Sequence, residues 1–261
     1  MSGTLGKLIG VSLGPGDPAL ITRQAWGVLQ RPCHWAYPVR SATSGSYALG
    51  IAERAGLQPS AGTSALIFPM THDLEKLSRY WLKAAHTLLP LLEAGQDVAF
   101  LVEGDASTYS TFGHLARTVV ALDPRIEIEI LPGVPSFHAA AAHLGLPLAE
   151  VDDAVAILPA AYGIGTLERL LDDFDTLVLL KVKPLLDDII ALLKRRGLLS
   201  HARFVERAGS VEERIVTDLT ELKGHKVNYL SLILVKNPER PRGELVRGCR
   251  RKSTANEPVS S

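Results

Sequence analysis

Cysteine is scarce in this chain. There are two, Cys33 and Cys249. The first adjoins an apolar segment and the second lies in a polar tail, so no bridge between them is expected and a reducing compartment fits. Neither has metal-ligand spacing. No charge of either sign is in excess: Lys plus Arg and Asp plus Glu number 28 each. A general nucleic-acid binder carries a basic surplus, so that class is not expected. Long hydrophobic runs are missing too. The most apolar stretch, residues 130–148, is broken by Pro132, Pro135, His138 and His143, so no segment reads as transmembrane. The start has no basic residues followed by an apolar run, and a cytoplasmic location is the expectation. Several chemical signatures are also missing: G-x-G-x-x-G, the P-loop pattern and the G-x-S-x-G elbow. His138 and His143 are five apart, which is not the helical metal-pair spacing, and no metal is expected.

What is present is enough for a large core. The chain has 261 residues, 46% of them hydrophobic, and two domains are expected. Residues 98–112, Val-Ala-Phe-Leu-Val-Glu-Gly-Asp-Ala-Ser-Thr-Tyr-Ser-Thr-Phe, organise the rest. They read as a buried strand (98–102), a tight polar turn (Glu103, Gly104, Asp105) and the approach to a helix. In open α/β sheets ligands bind at such strand ends.

Upstream, residues 8–13 form a first strand, and Asp17-Pro18 predicts a helix start running to about Leu29. Residues 35–37 are a second strand, 41–47 a polar loop and 66–68 a third strand. From Asp73 the apolar spacing predicts a helix ended by Gly95 and kinked or interrupted at Pro90. Beyond the central stretch, a helix runs to about Leu122. Ile126, Ile128 and Ile130 alternate with Glu127 and Glu129, which predicts a strand with one buried and one wetter face. Pro132-Gly-Val-Pro-Ser136 then leads into an alanine-rich helix ended by Gly145. The alternation of strands and helices predicts a doubly wound, mainly parallel five-stranded sheet over residues 1–146. A second α/β unit over 147–237 has strands at 155–158, 176–180, 202–205, 213–216 and 229–235. Some of these have no helix between them, so that sheet is expected to be mixed. From Pro238 the chain turns polar and basic, with Arg240, Arg242, Arg247, Arg250, Arg251 and Lys252, and a disordered tail is expected over 238–261.

Three strand ends face one another in this reading: Gly14-Pro15-Gly16-Asp17, the turn at 103–105 with its hydroxyls, and 132–136. They make a neutral cleft rich in glycine and hydroxyl groups. Such a cleft suits a neutral or zwitterionic small molecule better than a triphosphate.

Taken in order, Gly-Pro-Gly-Asp-Pro (14–18), Gly-Asp-x-x-x-Tyr-Ser-Thr (104–111) and Pro-Gly-Val-x-Ser (132–136) resemble the tetrapyrrole methylase family. The resemblance spans about residues 5–237 and implies two α/β domains holding S-adenosylmethionine between them, with S-adenosylhomocysteine as product. Ala-Tyr-Pro (36–38), Phe-Pro-Met-Thr (68–71), Tyr-Ser-Thr-Phe (109–112) and Val-Glu-Arg-Ala (205–208) point within the family to methylation of C20 of precorrin-2, with or without cobalt. Other tetrapyrrole carbons, or tetrapyrrole binding without turnover, are the alternatives. The resemblance implies a homodimer, and Pro15, Gly104, Asp105, Tyr109, Ser110, Thr111, Pro135, Ser136, Leu180, Ala208 and Tyr229 as cofactor-lining positions. Ala106 stands where many relatives have proline, and Leu180 where they often have methionine. Asp105 is the candidate to orient or accept the proton that leaves C20; its alternative role is a turn residue bonding its own backbone. Ser110 and Thr111 have helix capping as their alternative, and Tyr109 a place in the core. Arg23, Arg40, His72, His114 and Arg117 lie near the cleft loops in sequence and are available to meet an acidic ligand.

Overall fold

The computed structural model of the protein describes residues 4–71 and 73–243. The first sheet has the order β3-β2-β4-β1-β5, with all neighbours parallel. Its strands are β1 (Leu8–Ser12), β2 (His34–Val39), β3 (Thr63–Ile67), β4 (Val98–Val102) and β5 (Ile128–Leu131). β1 and β4 are buried along their whole length. That is why they read as unbroken apolar runs: both faces of an all-parallel sheet are covered by helices. Side-chain alternation divides β4 between two cores. Val98, Phe100 and Val102 face Phe112, Leu115 and Leu88, whereas Ala99 and Leu101 face Trp35, Ile51 and Leu29. The covering helices are α1 (Arg23–Leu29), α2 (Tyr47–Arg54), α3 (Leu74–Glu93) and α4 (Phe112–Leu122).

The register pairs Ser12 with Val102 and Val11 with Leu131. The chain therefore leaves β1, β4 and β5 side by side, at one edge of the sheet.

Several local expectations are corrected. Asp17 does not start one long helix. It caps a short 3₁₀ turn, Pro18–Leu20, and Thr22 separately caps α1; its extended backbone breaks the helical path between them. α3 is continuous through Pro90. Pro90 and His86 are both exposed, so the carbonyl left without its helical partner faces water. Ile130 is 47% exposed rather than buried, and β5 is the edge strand, paired with β1 alone.

The second sheet has the order β6-β7-β10-β8-β9. It comprises β6 (Val155–Pro159), β7 (Thr176–Leu180), β8 (Ala202–Glu206), β9 (Arg214–Val216) and β10 (Ser231–Lys236). Only β6 and β7 run parallel, so the sheet is mixed as expected. α6 (Ile164–Asp173) and α7 (Leu186–Arg195) cover one face. The other face receives α5 (Ser136–His143). Phe137, Ala140 and Ala141 pack on Val178, Val205, Leu232 and Leu234. The alanines let this helix, which begins at the end of β5, lie close on the second sheet and join the two units.

Part of the expected tail is anchored. Arg240 and Arg242 donate to the buried Asp175 carboxylate at 2.7 and 2.8 Å, and Arg242 also pairs with Asp153 at 2.7 Å. Cys249, Arg247, Arg250, Arg251 and Lys252 lie outside the described residues. No described helix is long and apolar enough to cross a membrane.

Gly10 in β1 provides a test of this packing. A Cβ there would lie 2.6 Å from the ring of the fully buried Phe112. Gly10→Ala is expected to destabilise by about 1–3 kcal/mol in urea unfolding, with partial recovery in the Gly10→Ala/Phe112→Leu double variant. Wild-type stability in the single variant would contradict the contact.

Candidate functional site

The three strand ends are tied together by short-range hydrogen bonds. Ser12, the last residue of β1, donates from Oγ to the carbonyl of Leu131 and accepts from the amide of Ala106 at 2.8 Å. Gly14 and Gly104 exchange backbone hydrogen bonds of 3.1 and 2.8 Å. Both have φ near +74° and +73°, a region open to glycine at little cost. Asp105 reaches to the third loop, where its Oδ2 accepts from the Gly133 amide at 2.8 Å. Gly133 must be glycine for a different reason: a Cβ would lie 2.4 Å from Ser12 Cβ and 2.5 Å from the Gly104 carbonyl oxygen.

Asp105 is thereby committed. Its Oδ1 accepts from the Ser107 amide at 2.9 Å, from the Ser107 hydroxyl and from the Thr108 hydroxyl at 3.2 Å. Burial alone would raise its pKa, but the donors from Ser107, Gly133 and Thr108 hold it below the usual carboxylate value. A carboxylate stabilised in this way is a weak proton acceptor. Of the two roles open in the sequence, the geometry is that of the turn former.

A cavity of about 950 Å³ lies between these loops and the second sheet, at the upper end of the range of ordinary ligand pockets. All the expected cofactor-lining positions border it. The first unit contributes Pro15, Gly104, Asp105, Tyr109, Ser110, Thr111, Pro135 and Ser136. The second contributes Leu180 at the end of β7, Ala208 after β8 and Tyr229 before β10. Tyr109 is not a core residue. It is 51% exposed, and its hydroxyl donates to the Ile157 carbonyl of β6 at 2.8 Å, across to the second unit. Ser110 does act as a local cap, accepting from the Phe112 amide at 3.0 Å, whereas Thr111 makes no capping bond. Leu180 pairs with Leu232 of β10. Pro15 is held by the Tyr47 hydroxyl, which donates to its carbonyl at 3.2 Å. Among the described residues, four non-glycine positions have positive φ, and Tyr109, Lys181 and Arg207, three of these, line the cavity. Strained backbone of this kind concentrates at functional sites.

The structure adds residues that the sequence did not single out. Glu103 lines the cavity. Burial pushes its carboxyl up to about 7, against the opposing pull of Arg40 and Lys181. Lys181, Lys183 and Arg207 join Arg40 as cavity-lining cations. Lys181 Nζ lies 5.9 Å from the centroid of the Tyr229 ring, a favourable cation–π placement. By contrast, Arg23, His114 and Arg117 do not border the cavity. His114 stacks on Trp81 with centroids 4.2 Å apart and is bonded to Arg117. His72 lies outside the described residues.

Three features fit a polar cofactor with an apolar body. α5 begins at the cavity wall without a side-chain cap, so its first amides are available to a ligand. Ser231 Oγ is buried against the cavity with no hydrogen-bond partner among the described residues. Gly104 has open space where a Cβ would be.

A sequence profile of the Tetrapyrrole (Corrin/Porphyrin) Methylases matches residues 7–223. The chain is 34% identical to a precorrin-2 C(20)-methyltransferase of Sinorhizobium sp, over 90% of this chain and 97% of that one. It is 33% identical to a cobalt-precorrin-2 C(20)-methyltransferase of Salmonella typhimurium, over 88% and 96% of the two chains. Its fold matches a uroporphyrin-III C-methyl transferase of Thermus thermophilus complexed with S-adenyl homocysteine. There the TM-score is 0.60 at 24% identity, covering 88% of this chain and 97% of that one.

The bonding of Asp105 has a consequence for stability. Asp105→Asn replaces one carboxylate oxygen by NH2, which faces either the Ser107 and Thr108 donors or the Gly133 amide, and is expected to cost about 1–3 kcal/mol. Because the folded pKa is depressed, the wild-type contribution is present above about pH 4 and is lost as pH falls further. Urea unfolding from pH 3 to 7 should show the two proteins converging at the acid end. A constant difference would contradict the assignment.

Proposed function

The chain belongs to the tetrapyrrole methylase family, and we propose that it transfers a methyl group from S-adenosylmethionine to C20 of precorrin-2 in cobalamin biosynthesis. The observation that carries this reading is the single cavity bordered by every family-implied cofactor position from both units. The C20 assignment is supported by the two C20-methylating relatives, which match nearly end to end.

When bound, S-adenosylmethionine supplies an electrophilic methyl group on a sulfonium. The acceptor is an electron-rich, enamine-like carbon, so it needs little activation. What remains for the protein is alignment and exclusion of water. Gly104 leaves room beside the turn, and the fixed Ser12–Asp105–Gly133 bonds keep that turn rigid. The open amides of α5, the Ser231 hydroxyl and the Tyr229 ring hold the cofactor's polar and apolar parts. Leu180 and Ala208 line the apolar portion. Arg40, Lys181, Lys183 and Arg207 meet the acidic side chains of the tetrapyrrole. Charge-assisted bonds orient such groups, although each exposed pair is worth only about 0–1 kcal/mol, so several act together.

Calorimetry with S-adenosylhomocysteine tests the cofactor site; one equivalent is expected to bind, and no heat at high micromolar ligand would overturn the reading. Incubation with precorrin-2 and ¹³C-methyl cofactor should add one methyl by mass spectrometry, at C20 by NMR. A methyl on another carbon would leave the family assignment intact and remove the C20 assignment. The same assay with cobalt-precorrin-2 identifies the preferred acceptor.

A further inference from the structure

Methylation of a meso carbon that carries hydrogen leaves one proton to be removed. Four carboxylates line the cavity: Glu103, Asp105, Glu206 and Glu212. Three are occupied. Asp105 is bonded within its turn. Glu206 accepts from the Asn228 amide and pairs with Arg214 at 3.1 Å. Glu212 pairs with Arg207. Glu103 is the one carboxylate on this wall, among the described residues, with no hydrogen bond or ion pair. It follows the buried end of β4 and immediately precedes Gly104. Among the described residues no histidine or cysteine borders the cavity; of its three tyrosines, Tyr47 and Tyr109 already donate to carbonyls, and the Tyr229 ring lies 5.9 Å from Lys181 Nζ.

We propose that Glu103 is the base that takes the C20 proton after methyl transfer. The inference rests on the C20 reading above. In the first step the C20 π-electron pair forms the new carbon–carbon bond to the methyl group, and the sulfur–methyl pair stays on sulfur as S-adenosylhomocysteine is released. C20 then bears both hydrogen and methyl. In the second step the Glu103 carboxylate takes that hydrogen as a proton, and the carbon–hydrogen pair restores the conjugated double bond. The proton passes to water when the product leaves.

The surroundings of Glu103 suit this work. The charged and titratable groups that act on it come from three elements: Arg40 after β2, Lys181 after β7, and Tyr47 at the start of α2. Burial raises its pKa to about 7 while the two cations limit the rise. A base with a pKa near the working pH combines a useful ionised fraction with real proton affinity.

Glu103→Gln keeps size and polarity but cannot take the proton. It is expected to bind S-adenosylhomocysteine like the wild type, which controls for folding, and to turn over about 10²–10³-fold more slowly. Wild-type kcat/KM, which reports the ligand-free enzyme, should rise with pH through about 7, as the carboxyl ionises, and the variant should lose that limb. In single turnovers the variant should accumulate a species with ¹³C-methyl on a tetrahedral C20 that still bears hydrogen. Independently of activity, difference infrared spectra of the ligand-free protein, wild type minus variant, should show a carboxyl band titrating near pH 7. Wild-type turnover and pH profile in Glu103→Gln, or a band that titrates below about pH 5, would overturn the proposal. A wild-type enzyme that methylates another carbon would overturn the C20 reading and this one with it. An unaffected variant beside a C20-methylating wild type removes Glu103 alone.

Discussion

The structure depends on one small hydrogen-bonded knot at the edge of the first sheet. Ser12 ties the end of β1 to Leu131 and Ala106, and Asp105 ties the turn after β4 to Gly133. Parallel strands deliver their ends to the same edge, but delivery alone leaves three loops free to move. The knot turns them into one wall. It also explains the distribution of glycine there. Gly14 and Gly104 are needed for their backbone angles, whereas Gly133 is needed because Ser12 and the Gly104 carbonyl lie where its Cβ would be. A buried hydroxyl that both donates and accepts is worth keeping in such a place, because loss of either partner would strand a polar group away from water.

The same turn divides two carboxylates by environment. Glu103 and Asp105 are separated by a single glycine, yet burial raises one while a ring of donors lowers the other. Paired acids with displaced pKa values are a recurring way to separate a fixed structural charge from a proton carrier. Asp105 faces the Ser107, Thr108 and Gly133 donors. Glu103 feels the fields of Arg40 and Lys181 and pairs with neither.

Much of this was legible in the sequence wherever the signal is local. The apolar runs of β1 and β4 end at glycine-containing turns, and the mixed character of the second sheet follows from strands with no room for helices between them. Every expected lining position borders the cavity. What was not legible depends on distant partners. Nothing near Glu103 in the chain shows that Arg40 and Lys181 will flank it, and nothing near Arg240 shows that it will reach Asp175. Ile130 has the alternation of a half-buried strand, but it stands exposed on the edge strand β5, and that edge position is a fact of topology. The break between Pro18–Leu20 and α1 is a competition between two good caps, Asp17 and Thr22, in which the second wins the longer helix. The helix between β2 and β3 begins at Tyr47, inside a segment that reads as loop, with Ser46 supplying its cap.

A neutral chain can still present a polarised cleft, and here the polarity is coupled to the ligand. Arg207 is offset by Glu212, while Arg40, Lys181 and Lys183 make no ion pair with any described carboxylate. In the proposed reaction the acidic tetrapyrrole meets these three cations, none of them paired with a described carboxylate. Two of these, Arg40 and Lys181, are the charges that hold the Glu103 pKa down against burial. When acceptor carboxylates neutralise them, that opposing pull weakens and desolvation deepens; both effects favour the protonated form of Glu103. The base thus gains proton affinity as the substrate that needs it arrives. In the empty cleft, the same cations keep Glu103 substantially ionised at neutral pH. A lysine or arginine placed directly against Glu103 would abolish this coupling, because a tight pair would lower its pKa whether or not substrate were bound. The absence of such a pair among the described residues, in a wall where the other carboxylates are all engaged, is what gives the position its chemical use.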